Sequence, residues 1–399
     1  MSDATILSLE VLQAKKGDCL LLHYGTQDNR KLWVIDGGPS QVYRPALRKR
    51  LNALRGDAPL EIELLMISHH DDDHIKGILD MCEDLDNAAG ARPYMIHNLW
   101  HNSFQDLVGL DPAKEGAIPD AVTAAFGAAS PHDRAMLASV GQGHSLGAYA
   151  RKFGWPVNSA FAGKIASFGQ DPAPDVSRFA PLAITIVGPM QGEIDALRAV
   201  YRDYLEKLGR DRPDEAEAVL AAYKDKSPAN LSSIVALVEH GGKSILLTGD
   251  ARGDTMLAAL RELGLIGDGK VLRVDVLKLP HHGSDNNVEP DFFENIHADH
   301  YVFCGDGSHG NPERGTLQML FDARETAPMT LHFNYALSAI DAKRASEWAK
   351  KKTEPWDLGR RGLATFLGAQ RKAGRNFTVI EPGEGRERLM IDLFGPVTV

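Results

Sequence analysis

Between Leu64 and Ile78 the chain reads LLMISHHDDDHIKGI, so His69, His70, Asp71, Asp72, Asp73 and His74 stand in an unbroken row. Imidazole nitrogens and carboxylate oxygens at this density form either a solvated acidic turn or a cradle for divalent metal. In an extended segment neighbouring side chains point to opposite sides, so His69, Asp71 and Asp73 share one face while His70 and Asp72 take the other. With His74 turning inward at a helix start, His69, Asp71, Asp73 and His74 converge in an HxDxDH pattern. For the run alone, a solvated turn explains the residues at least as well. Two distant segments tip the balance. LLTGD sets Asp250 just beyond an apolar stretch, and LKLPHHGS sets His281 and His282 beyond another, with Gly283 allowing close backbone approach.

These residues need elements that bring them together. IELLMIS reads as a buried strand and HIKGILDMCEDL has helical spacing, so the run occupies a strand-to-helix turn. Upstream, Ile6 to Leu12, Cys19 to His23 and Leu32 to Ile35 read as strands separated by Gly, Asp and Asn. A helix follows in YRPALRKRLNALRG, with Pro45 near its first turn and Gly56 at its end. From about 97 to 180 the pattern weakens into Gly-, Pro- and Ala-rich stretches, expected to be an insertion over the core. PLAITIVGP is a strand, and two helices split at Pro213 are expected at about 193–225. SSIVALVEHGGKSILLTGD is a hairpin through Gly241 and Gly242. VDVLKLPHHGS and ADHYVFCGDGSHGNP are strand-then-polar-loop units, and RNFTVI marks a further strand. The layout predicts an α/β domain over residues 1–330, with 331–399 as a C-terminal extension packing on the same domain. Strand ends then deliver Asp36, the His69 to His74 run, Asp250, His281 with His282, and His309 to one site.

With 399 residues, 43% hydrophobic and 25% charged, the chain has ample material for a large core. A net charge of -10 gives no global positive field for DNA or anionic lipid, so any nucleic-acid contact must be local. Cys19, Cys82 and Cys304 are too few and too scattered for a disulfide framework or a zinc ribbon. The N-terminus lacks a signal-peptide pattern and no apolar run approaches the roughly 18 residues of a membrane span, so a cytoplasmic protein is expected. RPALRKRLNALR and AKRASEWAKKKTEPWDLGRRG are locally basic and read first as solvated helix faces. Beside the metal edge they would steer a nucleic-acid backbone, with Trp348 or Trp356 for stacking. His97, His101, His132 and His144 are expected at the surface or satisfied in the core rather than as ligands.

Taken together, KKGDCLLL, VIDGG, SHHDDDHIKG, NLSSIVALV, ILLTGD, LKLPHHGS and a weaker GSHGNP resemble the metallo-β-lactamase-fold hydrolases. Within that superfamily the chain is most similar to the soluble hydrolase domain of ComEC-type competence proteins and their stand-alone relatives. The resemblance covers about Ile6 to Pro312, apart from insertions. It implies an αββα sandwich, here with helical insertions, holding two divalent metals along one edge. His69 and Asp71 would hold the first metal, Asp73 and His74 the second. Asp250 would bridge both, and His282 would complete the second site. Asp36 resembles an aspartate that orients the ligand loop, though a plain turn residue would also explain it. Two positions depart from the broader superfamily, which has a histidine in place of Asp71 and another in place of Asn230. The ComEC-type subgroup shares both departures, which leave the first site short of protein ligands.

Three carboxylates, Asp71, Asp73 and Asp250, against two divalent ions leave about one positive charge, which suits an anionic tetrahedral centre. The resemblance therefore implies phosphodiester hydrolysis, with water activated between zinc or manganese ions, magnesium being the third choice. Asp71 and Asp73 also offset the positive helix end that would otherwise repel a cation. Catalytic candidates are Asp73, His281 and His309, with Ser284 also placed to meet phosphate. His309 either replaces the family histidine matched by Asn311 or is a loop histidine without a role. The substrate would be a phosphodiester, with single-stranded DNA or a nucleotide as candidates, and no membrane partner is expected. Hydrolysis of an ester, thioester or lactone, or a non-catalytic role in a larger assembly, are the alternatives.

Overall fold

The computed structural model describes residues 4–88, 92–103, 142–143, 145–209, 228–351, 354–383 and 385–395. Its strands in chain order are β1 (Thr5–Leu12), β2 (Leu20–Thr26), β3 (Arg30–Ile35), β4 (Leu60–Ile62), β5 (Leu64–Met66), β6 (Tyr94–Ile96), β7 (Leu99–Trp100) and β8 (Ala183–Gly188). They continue with β9 (Val235–His240), β10 (Lys243–Leu247), β11 (Leu272–Lys278), β12 (Ile296–Phe303), β13 (Met329–Phe333), β14 (Phe377–Ile380) and β15 (Arg388–Asp392). Among the described residues these make a mixed α/β structure with a six-stranded sheet in the order β15-β1-β2-β3-β5-β7. A seven-stranded sheet runs β14-β13-β12-β11-β10-β9-β8, and β4 pairs with β6. The last two strands serve different sheets, β14 pairing in parallel with β13 and β15 antiparallel with β1.

Alternation along the strands decides what each sheet face buries. In β10, Ile245 and Leu247 join a cluster that also holds Leu7, Leu9, Leu22 and Trp33 from the other sheet, together with Val276 and Val302. Leu246, between them in sequence, belongs to a second cluster with Leu277, Tyr301 and Phe303. That cluster is filled by helices α4 (Gly253–Glu262), α5 (Pro290–Asn295), α6 (Arg314–Arg324) and α9 (Leu363–Lys372), through Met256, Phe292, Phe321 and Phe366. On the six-stranded sheet, Leu21, Val34 and Leu65 pack with Leu51 of α1 (Lys49–Leu54) and with Ile75, Ile78 and Cys82 of α2 (Asp72–Asn87). Further described helices include α3 (Gln191–Gly209), α7 (Leu337–Lys351) and α8 (Leu358–Arg361).

The parallel strands set up a shared edge. β3 pairs in parallel with β5, and β10, β11 and β12 run parallel to one another, so their carboxyl ends carry Asp36, the His69 run, Asp250 and the HHG turn. Clefts at the carboxyl ends of parallel strands are where α/β proteins place ligands. Helix α2 is locked onto this edge by two backbone approaches. A Cβ on Gly77 would lie 1.9 Å from the Gly37 carbonyl oxygen, and one on Gly17 would lie 1.8 Å from the Asp73 carbonyl oxygen. Gly77→Ala should therefore push α2 off the Gly37 loop and lower stability by roughly 1–3 kcal/mol, read from urea unfolding.

Among the described residues no helix is long and apolar enough to cross a membrane. Of the two helices expected at about 193–225, α3 begins at Gln191, and residues 210–227 lie outside the described part. His132, His144 and residues 104–141 of the expected insertion lie outside it too, while the described remainder contributes β7 to the six-stranded sheet and Trp100, Phe161 and Phe179 to the core.

Candidate metal centre

Strand β5 ends at Met66, and α2 starts at Asp72 with Asp71 as its extended N-cap residue. Extended alternation therefore holds only up to Asp71, and Asp73 and His74 belong to the first helical turn. The two sides of the run nevertheless separate. His69 Nε2 lies 3.6 Å from Asp71 Oδ2, while Asp73 Oδ2 lies 3.9 Å from His282 Nε2. On the far side, Asp72 Oδ1 accepts from Gln142 Nε2 at 3.0 Å. His70 is buried near Gly143 and His101, and burial pushes its imidazole down to about 4. His101 is buried as well and is driven down to about 3, while His97 pairs with Glu61 at the surface.

Asp250 stands in the middle. Its Oδ1 is 3.3 Å from His74 Nε2, and its Oδ2 is 3.4 Å from His282 Nε2, 3.7 Å from His281 Nε2 and 4.0 Å from His69 Nε2. Each imidazole is held from behind. Asp36 Oδ2 lies 2.8 Å from His74 Nδ1 while its Oδ1 accepts from the Ser68 backbone N–H. Ser68 Oγ lies 3.1 Å from His69 Nδ1, and Asn287 Oδ1 lies 2.6 Å from His281 Nδ1. Such partners fix the tautomer and aim the other ring nitrogen at the site. His281 and His282 adopt positive φ values of 48° and 57°, which turns two neighbouring rings toward one carboxylate. Left-handed backbone at non-glycine residues costs of order 1 kcal/mol each and clusters at functional sites.

Two residues that carry the centre are absent from the sequence-based candidates. Asp18, from KKGDCLLL, is buried and lies with Oδ1 3.1 Å from His282 Nδ1. Lys278, from LKLPHHGS, is also buried; its Nζ pairs with Asp18, lies 3.8 Å from Asp250 Oδ1 and donates to the Gly249 carbonyl at 2.9 Å. A lysine at the inner end of an apolar strand is the signal that could have found the pair, since a buried ammonium requires a buried acid. Asp18, His74, Asp250 and His282 each offer a ligand atom within 4.8 Å of the others. Asn230 is buried, and its Oδ1 finds no partner among the described residues. His309 is exposed on a neighbouring cavity, whereas Asn311 Nδ2 reaches the His281 carbonyl at 3.3 Å.

The protein atoms fit divalent metal. Among the described residues His69 Nε2, His74 Nε2, His282 Nε2 and Asp250 Oδ1 are all buried without a hydrogen-bond partner, a costly arrangement that a cation relieves. Burial opposes charge on Asp250, but His282, His74 and His281 outweigh it and hold its carboxyl well below the ordinary range. Burial likewise opposes charge on His282, yet Asp250 and Asp18 raise it from 6.5 to about 9. Because the folded value is the higher one, protonated His282 stabilises metal-free protein fully below pH 6.5, and that contribution fades as pH rises through about 9. Metal must displace this proton, so metal affinity should climb with pH toward about 9 while metal-free stability falls. Calorimetric metal titrations and chelator-treated urea melts across that range check both slopes.

Set beside known proteins, the chain matches no family model and none of the curated proteins.

Proposed function

We propose that this chain is a metal-dependent phosphodiester hydrolase with the αββα sandwich of the metallo-β-lactamase fold, most similar to the hydrolase domain of ComEC-type proteins. One observation carries the reading: four imidazole Nε2 atoms surround the Asp250 carboxylate, each ring held from behind by Asp36, Ser68, Asn287 or Asp18. The layering of the core supports the fold, with one apolar cluster shared by both sheets and one between each sheet and its helices.

His69, Asp71 and Asp250 would hold one ion, and Asp73, His74, His282 and Asp250 the other. Two ions, zinc or manganese, would polarise a phosphoryl oxygen and lower the pKa of a water between them. His281 supplies a further nitrogen on the Asp250 Oδ2 side and offsets the histidine missing at Asn230. Its side chain is 30% exposed, so it also meets substrate at the mouth of the site. Lys278 neutralises Asp18 and Asp250 from beneath and keeps the carboxylates ionised before metal arrives. Asp71, 30% exposed, and Asp73, 22% exposed, face the open side, where they repel a second anion and admit one phosphoryl group bound to the ions.

A substrate panel tests this. Purified protein supplied with manganese, magnesium or zinc should cleave bis(p-nitrophenyl) phosphate and leave ester, thioester and lactone substrates untouched. Preferential ester or lactone cleavage would transfer the site to the other hydrolase classes.

A further inference from the structure

We propose that a cavity built by the C-terminal segment beside the HHG turn binds a nucleobase, making the substrate a nucleotide phosphodiester; this rests on the hydrolase reading above. The cavity has a volume of about 520 Å³, within the range of small-molecule sites. Its inner wall is continuous with the metal loop. Glu313 accepts from the Asp285 backbone N–H at 2.9 Å and from Ser284 Oγ at 3.3 Å, and Asp285 stands three residues after His282.

The outer wall comes from α7 and α8 and from Trp356 just before α8. Trp348 and Trp356 meet edge to face with centroids 6.1 Å apart, and the Arg361 guanidinium lies 3.5 Å from the Trp348 ring centroid. The Arg344 guanidinium lies 5.3 Å from the Trp356 centroid. Indole faces and guanidinium planes are the surfaces on which bases stack. One feature marks a ligand site rather than a helix-joining contact. Arg360 lines the same cavity, is exposed, and its guanidinium has no ion pair among the described residues. An exposed guanidinium without an acidic partner among the described residues suits a phosphate. Glu313, raised to about 7 by burial and by the Asp285 side chain, offers both a donor and an acceptor near neutrality. Arg344, Arg360 and Arg361 of the basic C-terminal stretch thereby line a cavity whose inner wall joins the metal loop.

The test uses chelator-treated full chain, so that nothing is cleaved, with tryptophan fluorescence and calorimetry as readouts. Nucleoside 5′-monophosphates should bind saturably, while ribose 5-phosphate and inorganic phosphate at the same concentrations should not. Trp356→Leu and Arg360→Ala should each weaken nucleotide binding about tenfold, the loss of one stacking or charged contact. Trp356→Phe should restore most of it, and all three variants should take up metal like the parent, which shows that they fold. Equal binding of ribose 5-phosphate, no nucleotide binding at millimolar concentration, or parental binding by Trp356→Leu would overturn the subsite. Nucleotide binding without hydrolysis of any phosphodiester would instead fault the hydrolase reading and leave the subsite standing.

Discussion

Asp250→Ala, on the proposed reading, should strip the protein of metal and reduce phosphodiester cleavage by on the order of a thousandfold or more, since both ions would lose a shared carboxylate. The size follows from its position. Four imidazole nitrogens and one ammonium lie within 4.0 Å of its two oxygens. Without that carboxylate the site holds several buried cationic or protonatable groups facing one another, so metal-free Asp250→Ala should also melt earlier than the parent. Asp250→Asn keeps the shape and removes the charge. It should retain more of the fold than alanine while binding metal almost as poorly. Elemental analysis, thermal melts and a cleavage assay on both variants separate lost charge from lost packing.

Lys278→Met should cost the metal-free protein about 3–5 kcal/mol, the range for breaking a buried ion pair by removing one partner. Lys278 is 1% exposed and is the cation closest to Asp18, which is equally buried. Burial raises the Asp18 carboxyl, but Lys278 and His282 more than reverse this, and the raised Lys278 ammonium shows the reciprocal effect. Methionine fills a similar volume without charge, leaving Asp18 and Asp250 repelling each other in an apolar surround. Metal restores positive charge beside Asp250, so added manganese should recover a large part of the loss. Urea unfolding with and without manganese measures both parts. A variant as stable as the parent without metal would mean that Asp18 and Asp250 do not share the lysine charge.

The strands flanking the site were legible because their apolar runs are short and bounded by Gly and Asp. The predicted Ile6 to Leu12, Cys19 to His23 and Leu32 to Ile35 lie on β1, β2 and β3, with ends differing by a few residues at most. The VALVEHGGKSILL hairpin pairs His240 with Lys243 as expected. Helix α2 starts two residues before the expected His74, because Asp71 takes extended backbone and leaves Asp72 and Asp73 as the acidic first turn. Pairing across sheets was not legible. Asp18 meets His282 across 264 positions, and Lys278 meets Asp18 across a similar span. Local pattern carries no information about such partners, so both residues passed as ordinary loop and strand positions. His281 was a candidate from sequence, but its approach to Asp250 was not legible, since it depends on the left-handed turn that aims both neighbouring histidines at the same carboxylate.

The most direct test is the rate of bis(p-nitrophenyl) phosphate hydrolysis as chelator-treated protein is titrated with manganese. A dinuclear centre around Asp250 predicts negligible rate without metal and a rise that saturates near two equivalents per chain. Metal uptake at that stoichiometry without hydrolysis, or hydrolysis that is indifferent to metal, would contradict the account.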